Sequence, residues 1–370
     1  MTATLSLVNK LRSKLRIRTR IKQVPELFRA GAERREMLIK PGREKTGSIL
    51  IVSHKEKQCG IHEYGLNIFA ALEKSSRYSF AYAECSNGRQ LRWAVAETKP
   101  AAIIYNYFPF TMPWLTSRMT RRYKVPSLGV MHEVTQAEAD QATTEMFDYH
   151  LCPDPTLAEN NPIVFKTRRL IPAYDSAVSP PDVVTIGSFG FGFGDKGFER
   201  LIDTVHQEFD EARIALHLPL NDLVDSEFQR RTLASIKESE QRISKPGIKL
   251  VITHDFLTKS QLLDFLASNT LNAFFYETNK PRGISSTIEH ALAVRRPMAI
   301  TKCGMFRHVY SATPSICIEN SSLTRIIENG VTPLEPFYEE WTEANFILDY
   351  ERILNEVFHR AKDKATSARA

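Results

Sequence analysis

The sequence predicts an α/β protein made of two doubly wound, Rossmann-like domains that face each other across a cleft. Three observations predict it. At 370 residues the chain exceeds one ordinary domain and fits two of roughly 150 residues each. Short apolar runs rich in β-branched residues alternate with helix-patterned stretches, which is how parallel sheets built from βαβ units read. That alternation is interrupted once, at Pro172, Pro180 and Pro181, and then restarts.

Residues 1–45 form a basic arm, in which Lys and Arg alternate with Leu and Ile between Lys10 and Lys22, and Pro41-Gly42 separates it from the first strand. Residues 46–175 make the N-terminal domain. Its expected strands are Ser48 to Ser53, Tyr78 to Ala83, Ala102 to Tyr107, Ser127 to Met131 and Tyr149 to Cys152, with a loop at Gly60 and a helix over Leu66 to Leu72. Residues 176–335 make the C-terminal domain. Val183 to Phe189 is its first strand, followed by a glycine-rich turn and a helix from about Gly197 to Phe209; strands at Ile214 to Leu218, Lys249 to Ile252, Ala273 to Tyr276, Pro297 to Ile300 and Ser315 to Ile318 follow. Residues 336–370 read as a terminal helix over Phe337 to Phe358 that packs back on the N-terminal domain, with Trp341 and Tyr350 among its anchors.

Composition narrows the function. Hydrophobic residues make up 42% and charged residues 25% of the chain, as in globular proteins, and no run approaches the roughly 20 apolar residues of a membrane span. The opening residues run into basic sequence and not an apolar signal core, so a cytoplasmic location is expected. The five cysteines are scattered and the histidines are not clustered, which predicts reduced core thiols and no metal site. The net charge of +6 is concentrated in the arm: residues 1–45 hold 13 Lys/Arg against 4 Asp/Glu, while the rest hold 36 against 39. The body is therefore not a nucleic-acid binder. The arm, over residues 10–45, fits an anionic membrane surface at the periphery of an inner membrane.

Chemistry is expected on loops after strands, where doubly wound sheets bind ligands. The turn after Phe189 reads Gly187-Ser-Phe-Gly190-Phe-Gly192-Phe-Gly194-Asp-Lys196-Gly197. Its glycines let backbone N–H groups approach a phosphate, and Lys196 adds positive charge, which suits a diphosphate. The same stretch matches G-x-G-x-x-G, but the next strand ends without the acidic residue that a dinucleotide enzyme uses for ribose; an NAD(P)-dependent enzyme is thus an alternative reading. A second segment, Pro281-Arg282-Gly283-Ile-Ser285-Ser286-Thr287-Ile-Glu289, leads into a helix that Ser285 or Ser286 would cap. Glu289, one turn further, is placed to accept hydrogen bonds from vicinal hydroxyls.

Taken together, Asp195-Lys196-Gly197, Thr253 to Tyr276, the helix-borne Glu289 and Ala293 to Thr301 resemble the donor-binding half of group 1 retaining glycosyltransferases of the GT-B type. The resemblance extends from Ser48 onward and is strongest between Gly187 and Val309. It implies a nucleoside-diphosphate sugar donor, no cofactor, no metal, and a saccharide or lipid-linked acceptor. Lys196 then contacts the donor diphosphate, and Glu289 is the second glutamate of an E-x7-E motif and holds the ribose. Gly60 and Ile61 lie beside the donor phosphates and sugar, and His132 near the transferred sugar. Gly192, Gly194, Gly283, Ser285, Ser286 and Thr287 complete the donor set, with His132, Lys196 and Glu289 as the catalytic trio and His62 and Glu133 on the acceptor side. Two departures stand out. The first glutamate of the motif is replaced by Pro281, with Glu277 four residues too early; and Ser188 or Phe189 stands where a basic residue is usual, so that Arg282 is the candidate for the missing charge. Pro281 also supports the alternative of a catalytically inactive GT-B scaffold that binds a glycan or protein partner.

Overall fold

The computed structural model describes residues 39–40, 47–56, 59–175, 178–192, 194–219, 226–277 and 283–367. Apart from Ile39 and Lys40, the basic arm with its proposed membrane contact lies outside the described residues, as do Pro281 and Arg282.

Twelve strands among the described residues form two sheets. The first contains β1 (Ile39–Lys40), β2 (Ser48–Ser53), β3 (Ser79–Glu84), β4 (Ala102–Tyr105), β5 (Ser127–Val130), β6 (Tyr149–Cys152) and β7 (Val164–Lys166), in the order β1-β3-β2-β4-β5-β6-β7. All its pairs are parallel except β1 with β3. The second contains β8 (Thr185–Phe189), β9 (Glu211–His217), β10 (Gly247–Thr253), β11 (Leu271–Phe274) and β12 (Met298–Ile300), all parallel, in the order β10-β9-β8-β11-β12. The principal helices are α1 (Gly60–Leu72), α2 (Gly88–Thr98), α3 (Phe198–Glu208), α4 (Ser226–Gln241), α5 (Lys259–Ala267), α6 (Thr287–Ala293), α7 (Leu323–Asn329) and α8 (Glu343–Ser367).

Local chemistry explains several of these elements. β2 reads Ser-Ile-Leu-Ile-Val-Ser, and Ile49 to Val52 are wholly buried, as a central parallel strand covered on both faces requires. Asn87 caps α2 by accepting from the N–H groups of Arg89 and Gln90, and Thr258 with Gln261 forms a capping box on α5. Gly197 precedes α3 with φ +63°, and a Cβ there would stand 1.9 Å from the Phe275 carbonyl oxygen. Only glycine lets the turn pass so close to β11.

The expected strands appear within a few residues, with three differences. Ile39–Lys40 and Val164–Lys166 are additional strands, the latter too short to show a pattern. Ser315 to Ile318 makes only a single bridge, Ile300 with Cys317, because the chain turns away at once. The predicted tail helix is broken at Trp341, giving a six-residue turn of helix (Glu335–Glu340) and then α8.

The break is where the chain changes cores. Trp341 packs with Phe306, Val309 and Phe337 in the core of the second sheet, whereas Phe346, Tyr350, Ile353, Leu354 and Val357 of α8 pack in the core of the first, with Ile49, Ile51 and Tyr82 of its strands and Ile68 of α1. The other crossing is equally abrupt: Leu170 packs on the first core and Ile171 on the second. The two crossings touch, since the Ile171 N–H donates to the Trp341 carbonyl at 3.5 Å.

Candidate donor site between the two sheets

The carboxyl ends of β8 and β11 bring together residues separated by about ninety positions. Gly190, with φ +150°, turns the chain after β8 so that Lys196 reaches back over the end of β11. There the Lys196 Nζ lies 3.6 Å from the centroid of the Tyr276 ring. This cation–π contact holds the ammonium without neutralising it. The Tyr276 hydroxyl is 3.0 Å from Thr287 Oγ1, which is 2.5 Å from Ser285 Oγ. Lys196, Ser285 and Thr287 thus form one polar cluster, joined by Tyr276. Gly192 is buried in the turn and Gly194 is exposed. The start of α6 is less regular than expected: Ser286 occupies the N-cap but makes no side-chain cap, and it is Ser285 Oγ that accepts from the Thr287 N–H, at 3.4 Å.

The facing loops of the first sheet meet this cluster directly. A Cβ on Gly283 would lie 2.6 Å from both the His132 carbonyl oxygen and Glu133 Cα, so the loop before α6 fits against the loop after β5 only because position 283 has no side chain. His132 Nε2 is 2.7 Å from Asn106 Oδ1, and Asn106 Nδ2 donates to Ser53 Oγ at 2.9 Å and to the Ile61 carbonyl at 2.6 Å. Asn106 therefore acts as an acceptor toward His132, placing the imidazole proton on Nε2. Burial, aided by the charge of Arg169, lowers the His132 pKa to about 3, so the ring is neutral. Tyr64 meets it edge-on, with centroids 5.0 Å apart. Gly60 and Ile61 open α1 at the end of β2, and Cys59 before them makes no side-chain cap.

Two expected site residues sit deeper than an exposed ligand group would. His62 is 3% exposed, and its Nε2 lies 2.7 Å from Glu84 Oε1. Glu289 is 4% exposed and receives two hydrogen bonds from Arg169, from Nε at 2.7 Å and from Nη2 at 2.6 Å. Burial alone would raise the Glu289 pKa, but the charge and hydrogen bonds of Arg169, with His308, outweigh it and hold the acid down to about 2. Glu133, in contrast, is exposed.

Arg169, Asn106, Glu84 and Tyr276 were not among the residues singled out from sequence. Arg169 belongs to the basic triplet Lys166-Thr-Arg168-Arg169 just before Pro172, and Asn106 directly follows β4, but neither pattern names its partner. The aromatic run Tyr105 to Trp114 is divided: Tyr105 is fully buried against Phe147, Tyr107, Phe108 and Trp114 are half-buried, and Phe110 projects, 77% exposed. Among the described residues no helix is long and apolar enough to cross a membrane, and no group of three or more His, Cys, Asp or Glu is placed to hold a metal ion.

This architecture has counterparts of known structure. HepE from Anabaena, in complex with UDP and glucose, aligns with a TM-score of 0.57 at 12% identity, covering 84% of this chain and all of the other. An α,α-trehalose-phosphate synthase (UDP-forming) from Burkholderia xenovorans, in complex with glucose-6-phosphate, aligns at 0.54 with 9% identity over 84% of this chain and all of its own. The trehalose-6-phosphate synthase OtsA aligns at 0.51 with 11% identity, over 86% and 98%. The chain has the GT-B fold. No protein-family model matches the sequence, and no curated protein does. In this GT-B chain the cluster around Lys196 stands at the carboxyl ends of the second sheet and His132 at those of the first, on the two faces of the fold's inter-sheet cleft.

Proposed function

We propose that this GT-B protein is a glycosyltransferase that takes a sugar from UDP and transfers it to a saccharide or lipid-linked acceptor, with retention of configuration and without a metal ion. The observation that carries the reading is the Lys196 ammonium held over Tyr276 beside the hydroxyls of Ser285 and Thr287. Departure of a nucleoside diphosphate demands stabilisation of negative charge, and a fixed cation with glycine-turn N–H groups supplies it electrostatically. Gly190, Gly192 and Gly194 give the diphosphate a close approach to the backbone. His132, neutral and with its Nε2 proton directed to Asn106, offers Nδ1 as an acceptor toward a sugar hydroxyl. Gly60, Ile61 and Gly283 line the approach to the donor, and Glu133 lies at the acceptor side. Arg282 is assigned to the donor diphosphate on sequence alone. HepE, crystallised with UDP, and the UDP-forming trehalose-phosphate synthase support uracil as the base. The charge of residues 1–45 supports work at the cytoplasmic surface of an anionic membrane, as in envelope polysaccharide assembly.

Thermal melting of the purified chain with UDP, GDP and ADP, each with and without EDTA, tests this. A ligand at 100 times its dissociation constant stabilises the folded state by about 2.7 kcal/mol, which is readily seen as a rise in Tm. UDP is expected to raise Tm regardless of EDTA, and Lys196→Ala to lose most of the rise. A chain that responds to none of the three is not a transferase of this kind, and the inactive scaffold then takes its place.

A further inference from the structure

The resemblance to group 1 enzymes assigns Glu289 to the donor ribose, and the geometry around that carboxylate disagrees. Each of its oxygens receives one hydrogen bond from Arg169, in the parallel two-point arrangement that matches guanidinium to carboxylate. The remaining nitrogen of the guanidinium, Nη1, donates to the Pro153 carbonyl at 2.7 Å. All three nitrogens of Arg169 are thus engaged, and the pair is enclosed: Arg169 is 6% exposed and Glu289 4%. His308 Nε2 closes a further side at 3.6 Å from Glu289 Oε1, with its ring stacked on Trp341 at an interplanar angle of 20°.

The setting explains what the pair does. Arg169 immediately precedes the crossing at Leu170 and Ile171; Pro153 follows β6 of the first sheet; Glu289 lies on α6 of the second. The next residue along, Asp154, accepts from Arg307 of the second sheet's side, and Arg307 also donates to the Val134 carbonyl at 3.3 Å. Two neighbouring residues of the first half are therefore each held by an arginine: Pro153 by Arg169, which in turn grips Glu289 of the second half, and Asp154 by Arg307 of the second half directly. Breaking such a buried pair leaves an unpaired charge, so a ribose cannot take Glu289 without that cost.

We infer that Arg169 and Glu289 form a brace between the two halves of the molecule, and that Glu289 does not read the donor ribose. The consequence for specificity is that removal of the ribose hydroxyls from the donor is not sensed at position 289. This rests on the donor reading above, and the test separates the two.

Isothermal titration with UDP, 2′-deoxy-UDP and 3′-deoxy-UDP is carried out on the full chain and on the double variant Arg169→Met/Glu289→Met, which replaces the ion pair with apolar groups and leaves no lone buried charge. If the brace is the role of Glu289, the ratio of deoxy-UDP to UDP dissociation constants is the same in both proteins, within about twofold. If the wild type prefers UDP by about tenfold or more over either deoxy form and the double variant abolishes that preference, Glu289 reads the ribose and the inference is overturned. The brace also predicts that Arg169→Met and Glu289→Met alone each lower Tm more than the double variant does. A double variant no more stable than the worse single variant would equally overturn it. Failure of UDP to bind the wild type at all removes the donor reading and this inference with it.

Discussion

At the scale of single residues, two neighbouring histidines after β2, His54 and His62, are held in opposite states. Glu63 at 3.9 Å and Glu84 at 2.7 Å favour the charged form of His62 against the effect of burial, so its pKa rises to about 9. The neighbouring His54, with its ring 5.8 Å away, is lowered to about 4 by burial and by the charge on His62. The sign of the pH dependence follows. A group whose folded pKa lies above its unfolded value of about 6.5 stabilises the fold fully below that pH, and the contribution is lost as pH rises through the folded value. Urea denaturation between about pH 6 and pH 10 is thus expected to show stability falling toward alkaline pH. Because the shorter contact is to Glu84, Glu84→Gln moves that fall to lower pH; superimposable profiles for the two proteins would rule out the ion pair. None of this was legible beforehand. His62 is expected as an acceptor-side group, but its partner is 22 residues away on β3, and only the parallel register that sets Ser53 beside Glu84 brings them together.

At the scale of elements the sequence was far more informative, and the reason is burial. Ser48 to Ser53 and Tyr149 to Cys152 agree with the structure residue for residue because a strand covered on both faces must be apolar throughout. The edges fared worse: β7 has three residues, and Ser315 to Ile318 has the composition of a strand but only one bridging residue. The glycine turn after β8 was recognisable as a turn, whereas the contact of its Lys196 with Tyr276 depends on β8 and β11 being neighbours, which follows from strand order and not from local pattern. Gly283 is the position where an element-scale contact is most exposed to test. Gly283→Ala places a methyl group 2.6 Å from backbone on the opposite loop, and backbone cannot swing aside as a side chain can. Destabilisation of about 1–3 kcal/mol is expected, in the range of overpacked sites. It should be accompanied by loss of UDP binding that exceeds what the lower stability explains, measured by titration well below the melting temperature. An alanine variant that melts and binds like the wild type would show that the two loops are not in contact in solution.

At the scale of the molecule, the two crossings, Leu170–Ile171 and Trp341–Phe346, set how the halves are joined. They lie side by side through the hydrogen bond from Ile171 to Trp341, and Arg168 adds an ion pair with Asp349 on α8, at 2.5 Å. Two crossings held side by side tie the halves together at one place, the arrangement that the proposed transferase would use if its cleft opens and shuts. It also means that continuity of the polypeptide is not what keeps the molecule whole. Cut once by a protease at a recognition site engineered between Ser179 and Asp182, the chain would run as two bands on a denaturing gel. In buffer it should still elute as one particle, because the C-terminal piece carries Phe346, Tyr350, Ile353, Leu354 and Val357, all buried in the other piece's core. Separation of the pieces on a sizing column would contradict that. A protein built this way is, in effect, already a pair of interlocked fragments, and its two pieces could be produced apart and mixed to restore the whole.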